Sequence, residues 1–161
     1  MARAAVPTFD TPIKQGGIAQ THGIAMGTSV MSLDGAVPVE YLTPGDRIIT
    51  RSGARRLASI EITVVENARV IRVAHDTLGI DRPSEDLIVA PSQNIFVRDW
   101  RAKALCGTPT ALIPASRLVD GEYIRHEVMG HVRLFSLRFD EEVVIYAAGL
   151  EIACQKASVA V

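Results

Sequence analysis

Few side chains in this sequence could act as nucleophiles or as proton donors and acceptors. The four histidines and two cysteines are His22, His75, His126, His131, Cys106 and Cys154. Close to His22, the residues Thr21, Thr28 and Ser29 offer hydroxyl groups, which need a well-placed base to react as nucleophiles. A turn or strand role is the simpler interpretation of these hydroxyls, and an exposed loop position is the simpler interpretation of His22.

The cysteines and the acidic residues suggest little further chemistry. Cys106 and Cys154 lack the paired spacing of a zinc site and the density of a disulfide framework, so two buried, small apolar residues are expected. A cysteine-dependent hydrolase using either thiol with His126 or His131 stays an alternative, although no nucleophile signature surrounds either cysteine. The acidic run at 140–142 is typical of a solvated turn. We expect no metal and no cofactor.

The composition excludes several classes of partner. With 17 basic and 18 acidic residues the net charge is -1, which gives no electrostatic footprint for nucleic acid or an anionic membrane. At 5% aromatic content, a stacking platform is not expected either. No apolar run reaches the roughly 20 residues that span a bilayer, and the N-terminus lacks the apolar core of a signal peptide. The chain is predicted to be soluble and, by default, cytoplasmic, with export by a non-classical route left open.

The length and the turn signals indicate one domain. A chain of 161 residues fits a single core. Residues 1–22 hold prolines and glycines without apolar periodicity, which predicts a flexible lead-in. The folded domain is predicted over 23–155, followed by a tail at 156–161.

From Ser29 onward, short apolar stretches alternate with turn signals, which indicates an all-β chain folded into a compact, curled sheet. The first hairpin is predicted at Ser29–Leu33 and Ala36–Val39 around an Asp34-Gly35 turn. Helical structure is confined to a turn at 39–42 and a short candidate helix at Arg101–Cys106. Further strands are expected at Asp46–Thr50, Arg55–Val65, Arg69–Val73, Leu87–Ala90, Asn94–Val97, Leu112–Pro114, His131–Phe139 and Val143–Ala147.

The order of these motifs resembles the Hedgehog/intein (Hint) domain family, in its bacterial branch, over Gly23 to Gln155. An opening block with Gly-Thr, Asp-Gly and Pro-Gly-Asp is followed by a strand–turn–strand block, a Pro-Ala step and a pair of closing strands. The blocks are Gly27–Thr50, Asp86–Val97, Leu112–Gly121 and Leu134–Glu151. The resemblance implies a Hint/intein-like, horseshoe-shaped β-domain.

The resemblance also implies where autoprocessing chemistry would lie. Hint domains begin with an acyl shift by a thiol or hydroxyl at their first position, and Gly23 occupies that position here, ahead of Thr28 in the Gly-Thr motif. The family's histidine, a general acid of a kind that contributes typically about 10²- to 10⁴-fold, is replaced by Gln93, with Asn94 beside it. Ser136 and Glu141 stand where the bacterial branch often carries further histidines. The sequence ends at Val161 without the His-Asn of a splicing intein, so splicing is not expected.

These replacements predict a Hint-like domain that does not process itself and serves as a scaffold or protein-interaction module. Its partner would be another protein or a peptide segment, bound near Pro91–Asn94 and Gly23–Thr28. The alternative is residual self-cleavage near Gly23, with Thr21 or Ser29 as nucleophile and a histidine such as His22 or His75 as base. The sequence does not indicate the oligomeric state.

Overall fold

The computed structural model describes the backbone of Ile13 and Lys14 and residues 22–157. Over these residues the chain forms thirteen strands, one α-helix and two short 3-10 helices, so the all-β prediction is confirmed. The strands are β1 Ile13–Lys14, β2 Ile24–Ala25, β3 Ser29–Ser32, β4 Gly35–Pro38, β5 Arg47–Thr50, β6 Gly53–Arg56, β7 Ser59–Val73, β8 Leu87–Val89, β9 Asn94–Val97, β10 Ala111–Pro114, β11 Ile124–Phe139, β12 Val143–Ala147 and β13 Leu150–Lys156. Helix α1 spans Trp100–Cys106, and the 3-10 helices span Val39–Tyr41 and Ala115–Leu118.

The sheet curls because β13 belongs to two groups of strands. In one group, β11 pairs with β7 antiparallel and with β2, and β8 pairs with both β7 and β2. In the other group, β12, β3 and β5 follow one another, and β13 joins the two groups by pairing with β11, β12 and β9. Ile71 and Leu137 of the first group and Ile95 and Ile145 of the second share one buried cluster, so the main core lies inside the curl.

The first hairpin turns one residue earlier than predicted. Ser32 pairs with Gly35, which makes Leu33 and Asp34 the turn residues instead of Asp34 and Gly35. The Ser32 hydroxyl fixes this turn by accepting from the Asp34 N–H at 3.1 Å and donating to the Gly35 carbonyl at 2.8 Å. Because only Gly35 of these residues has a positive φ, the turn does not need two left-handed positions.

Two predicted strands are longer in the structure than in the sequence analysis. The sequence analysis predicted separate strands at 55–65 and 69–73, whereas the structure has β6 followed by a single continuous β7. Strand β11 begins seven residues before the predicted His131. Arg72 and Glu127, joined by bonds of 2.6 and 2.8 Å, hold the early part of β11 against β7. β7 continues between the two predicted strands because Glu66 and Ala68 pair with His131 and Met129 of β11.

The N-terminal region contributes one strand that the sequence analysis did not predict. Ile13 and Lys14 lie parallel to Ile62 and Thr63 of β7. The rest of the predicted lead-in, apart from His22, falls outside the described residues, and so do residues 158–161 of the predicted tail.

Candidate functional site

Gly23 is buried between two neighbouring strands of the curled sheet. The residue after it, Ile24, pairs with Phe135 of β11 on one side and with Val89 of β8 on the other. The Gly23 carbonyl accepts the Ala90 N–H at 3.0 Å. Its position is therefore fixed by the strand pairing that follows it.

The space beside the Gly23 α-carbon is filled by backbone atoms. A β-carbon built at this residue would lie 3.0 Å from the Phe135 carbonyl oxygen and 3.4 Å from Cβ of Leu134. Its φ of +145° is also one that side-chain-bearing L-residues rarely adopt. Any side chain here would strain the pairing of β2 with β11.

Gln93 holds the Gly23 amide from the turn between β8 and β9. The Gln93 side chain is only 3% exposed, and its Oε1 accepts the Gly23 N–H at 2.8 Å. Its Nε2 donates to the Ala153 carbonyl at 2.8 Å and to the Asn94 carbonyl at 3.0 Å. With one donor facing Oε1 and two acceptors facing Nε2, only this amide orientation satisfies the network.

The backbone of this turn is engaged as well. The Gln93 N–H donates to Ala90 at 3.0 Å, and the Gln93 carbonyl accepts from Ala115 at 2.9 Å. The Pro91 carbonyl accepts from Ser116 at 3.0 Å. These three backbone groups of the turn are therefore committed to internal bonds.

His22 precedes Gly23 and lines a cleft of about 420 Å³. Burial, and secondarily the charge of Arg138, lower the pKa of His22 below its ordinary value. Its Nδ1 lies 3.4 Å from Nε2 of Gln155. The other residues lining the cleft are Arg51, Ser52, Asn94, Leu112, Glu142, Val143, Val144, Ala153, Cys154 and Gln155.

The structure brings Gly23, Gln93 and Asn94 together and leaves the other matched positions in separate settings. Thr28 is buried, and its hydroxyl donates to the Ala25 carbonyl at 2.7 Å. Ser136 is buried in β11, and Glu141 is an exposed partner of Arg55 at 3.3 Å. Of the hydroxyls suggested for residual cleavage, Ser29 lies in β3, and Thr21 falls outside the described residues.

The two cysteines differ in their surroundings. Burial raises the pKa of the Cys154 thiol to about 12, which keeps it protonated and unreactive near neutral pH. Cys106 is exposed, so the prediction of two buried cysteines is wrong for this residue. It ends helix α1, an element too short to carry its last residues into the core. His126 and His131 are exposed on β11 and pair with Ile71 and Glu66, away from the cysteine strand β13.

The acidic run at 140–142 is exposed, as expected of a solvated turn. Among the described residues, the group whose ligand atoms could approach one ion is instead His75, Asp76 and Asp81, within 4.8 Å of one another. All three are exposed, and the Asp76 carboxylate already accepts the Asp81 N–H at 2.7 Å.

The sequence analysis missed a buried carboxylate in β13. Glu151 is only 1% exposed and pairs with three arginines. A charged residue between Leu150 and Ile152, in the apolar first half of the strand, was the available signal. A buried charge in such a place needs partners.

Comparisons with known proteins agree with this geometry. Residues 23–154 match the family model described as a Hint domain. No curated protein sequence matches the chain. In the described residues, no helix is long and apolar enough to cross a membrane.

Several solved structures are similar in fold. The intein-like domain from Clostridium thermocellum is 14% identical with a TM-score of 0.61, over 85% of this chain and 100% of that chain. The TvoVMA intein is 13% identical with a TM-score of 0.58, over 82% and 96%. The gp41-1 intein is 11% identical with a TM-score of 0.55, over 85% and 100%. At these identities the likeness shows the fold, and the predicted Hint/intein-like architecture is confirmed.

Proposed function

We propose that this chain, which belongs to the Hint domain family, does not cleave or splice itself and serves as a scaffold that binds a peptide segment of another protein. The observation that carries the proposal is the bond between Gly23 and Gln93. In the family these two positions are occupied by the nucleophile and the histidine of the self-processing reaction. In this chain they are joined by a buried hydrogen bond of 2.8 Å.

The chemistry at residue 23 supports the absence of processing. An acyl shift forms a bond between the carbonyl carbon of residue 22 and a sulfur or oxygen on the β-carbon of residue 23, while the bond to nitrogen breaks. Gly23 has no β-carbon to carry such an atom. A β-carbon built there would lie only 3.0 Å from the Phe135 carbonyl oxygen, so the backbone would have to shift to admit one.

The polarity of Gln93 is the reverse of what the reaction requires. A general acid must deliver a proton to the departing nitrogen. At this nitrogen Gln93 presents an acceptor, Oε1, which takes the N–H of the intact peptide group. Both amide hydrogens of Gln93 point to other carbonyl groups. The side chain therefore stabilises the uncleaved backbone.

The cleft beside His22 is the surface that we propose for binding. It combines polar groups such as Asn94 with apolar side chains such as Leu112, which is 46% exposed. Leu112 lies in β10, and in the described sheet β10 pairs only with β9. An extended peptide could add to the other side of β10 and place a side chain in the cleft.

The absence of processing is tested by restoring the two lost groups separately and together. We expect the chain carrying Gln93→His to remain intact, because residue 23 still has no nucleophile. Gly23→Cys supplies the thiol but not the acid, so any cleavage should appear only in the double variant. Release of a fragment by Gln93→His alone, detected by mass spectrometry, would show that another group attacks and would overturn this part of the proposal.

Peptide binding is tested by selecting extended peptides from a displayed random library on the wild-type chain. Peptides that occupy the cleft should lose binding to Leu112→Asp and keep binding to Leu33→Asp, a matched change at a side chain that is 55% exposed in the first hairpin. Selected peptides that bind both variants equally, or a selection that yields no binder, would contradict the proposed surface.

A further inference from the structure

Glu151 binds more positive charge than a single carboxylate can neutralise. Its Oε1 lies 3.2 Å from Nη2 of Arg82 and 3.0 Å from Nη2 of Arg98, and its Oε2 pairs with Arg51. Three guanidinium groups against one carboxylate leave two positive charges uncompensated by Glu151.

The three arginines reach Glu151 from separate parts of the chain. Arg51 follows β5, and its guanidinium lies 4.4 Å from the centre of the Phe96 ring. Arg98 follows β9, and Arg82 lies in the loop between β7 and β8. Because Glu151 is held near the start of β13, where it pairs with Tyr146 of β12, it fixes the direction of all three guanidinium groups.

The loop that carries Arg82 is docked tightly on the turn between β12 and β13. The Ser84 N–H donates to the Ala148 carbonyl at 2.8 Å. A β-carbon on Gly149 would lie 2.4 Å from the Asp81 carbonyl oxygen, so only glycine permits this approach. Arg82 is therefore positioned by backbone packing as well as by its ion pair.

Arg82 and Arg98 line a pocket of about 300 Å³ with an apolar wall. Leu78, Phe96 and Val97 form that wall, and Asp99 completes the lining. Asp99 does not offset the arginines, because its carboxylate caps helix α1 through the Arg101 N–H at 2.9 Å and pairs with the Arg101 guanidinium. The Arg98 side chain is 48% exposed, so its remaining N–H groups are accessible to a ligand.

We propose that this pocket binds a small phosphate monoester. A phosphate monoester carries between about −1.5 and −2 charges at neutral pH, and two of the three arginines around Glu151, Arg82 and Arg98, line this pocket. The guanidinium groups of Arg82 and Arg98 have the planar donor geometry that pairs with phosphate oxygens. The organic part of the ester would pack against the half-buried Phe96 and the edge of Leu78, and a pocket of about 300 Å³ is at the lower end of the range for small-molecule sites.

The proposal is tested by calorimetric and NMR titration of the chain with phenyl phosphate, inorganic phosphate and phenol at low salt. Phenyl phosphate should bind saturably at one equivalent, and more tightly than either of its two parts. Its affinity should fall with added salt and below about pH 6, where the ester gains a proton. Saturable binding of phenol alone with equal affinity, or no saturable binding of phenyl phosphate, would overturn the proposal.

Single substitutions test whether phenyl phosphate binds at this pocket. Arg98→Gln should weaken phenyl phosphate binding at least tenfold, and Glu151 keeps two of its arginines in this variant. Arg55→Gln, a change at an arginine paired with Glu141 instead, should leave binding unchanged. Should Arg98→Gln fold poorly by circular dichroism, Arg98→Lys keeps the charge and removes the planar fork, and it should bind at least threefold more weakly. Wild-type affinity in a folded Arg98 variant would contradict the site.

Discussion

The Oε1 atom of Gln93 lies 2.8 Å from the backbone nitrogen of Gly23 and accepts its hydrogen. Through its Nε2 the same side chain also bonds to Ala153 in β13, so one buried amide connects the residue before β2, the turn after β8, and β13. In this chain, residue 93 holds together three parts of the curled sheet. A structural role of this kind has measurable consequences.

Replacing Gln93 by glutamate should destabilise the chain by about 2–4 kcal/mol at neutral pH, because a buried carboxylate oxygen would face the carbonyls of Asn94 and Ala153. Protonation of the new carboxyl group restores a donor toward one of these carbonyls. The deficit in the free energy of unfolding should therefore shrink as the pH is lowered toward 5, relative to the wild type. Urea unfolding at several pH values measures it.

The matched control is Asn94→Asp, which introduces the same change at the next residue, whose half-buried side chain lines the open cleft. It should cost less than about 1 kcal/mol. An equal loss in the free energy of unfolding for the two variants would show that the hydrogen bonds of Gln93 do not contribute more to stability than the contacts of Asn94.

Replacing Gly23 by alanine should cost about 1–3 kcal/mol, because the new methyl group would strain both the backbone at φ +145° and the contact with the Phe135 carbonyl. Gly130→Ala is the control, since Gly130 lies in the same sheet and a β-carbon added there would meet nothing within 4 Å. Thermal unfolding of both variants compares them. A Gly23→Ala variant as stable as the wild type would mean that residue 23 tolerates a side chain.

The two thiols should react very differently with iodoacetamide at pH 7. Cys106 is exposed and should be alkylated in the native chain, whereas Cys154 is buried with a pKa raised to about 12 and should react only after denaturation. Mass spectrometry of the native chain should show one added group, and of the denatured chain two. The variant Cys106→Ser should then show none in the native state. Rapid labelling of Cys154 in the native chain would contradict its burial and would support the alternative of a cysteine-dependent hydrolase.

His22 should make the stability of the chain depend on pH. Burial and the charge of Arg138 lower its pKa in the folded state, so the unfolded chain binds a proton more readily. Below about pH 6.5, the ordinary pKa of histidine, protonation of His22 stabilises the unfolded chain more than the folded chain, so the free energy of unfolding decreases as the pH falls. His22→Gln cannot be protonated, so the difference in stability between the wild type and this variant should change between pH 8 and 5. A constant difference over that range would contradict the burial of His22.

The sequence predicts much of the fold because most of its elements are bounded by local signals. The strands at Asn94–Val97 and Val143–Ala147 have their predicted bounds, and the turn at Val39–Tyr41 is helical as expected. The continuity of β7 and β11 could not be predicted, since Glu66 and Asn67 interrupt the apolar pattern of β7 and the early part of β11 is held by polar pairs such as Glu127 with Arg72.

For the candidate site, too, the sequence identifies residues but not the contacts between them. The resemblance to the Hint family singled out Gly23 and Gln93, but the bond between them depends on the turn at 90–93 and on the pairing of Ile24 with Phe135. The arginines around Glu151 come from positions 51, 82 and 98 and meet only because the sheet curls. No local pattern in the sequence encodes such a meeting.

The most direct test of the proposed lack of self-processing is the intact mass of the purified chain after prolonged incubation, alone and with dithiothreitol or hydroxylamine, which intercept any thioester or ester. The bond between Gln93 and Gly23 and the missing β-carbon predict a single species at 17.4 kDa under all three conditions. A discrete fragment beginning at or near Gly23 would contradict the account, because it would mean that the chain still performs the acyl shift.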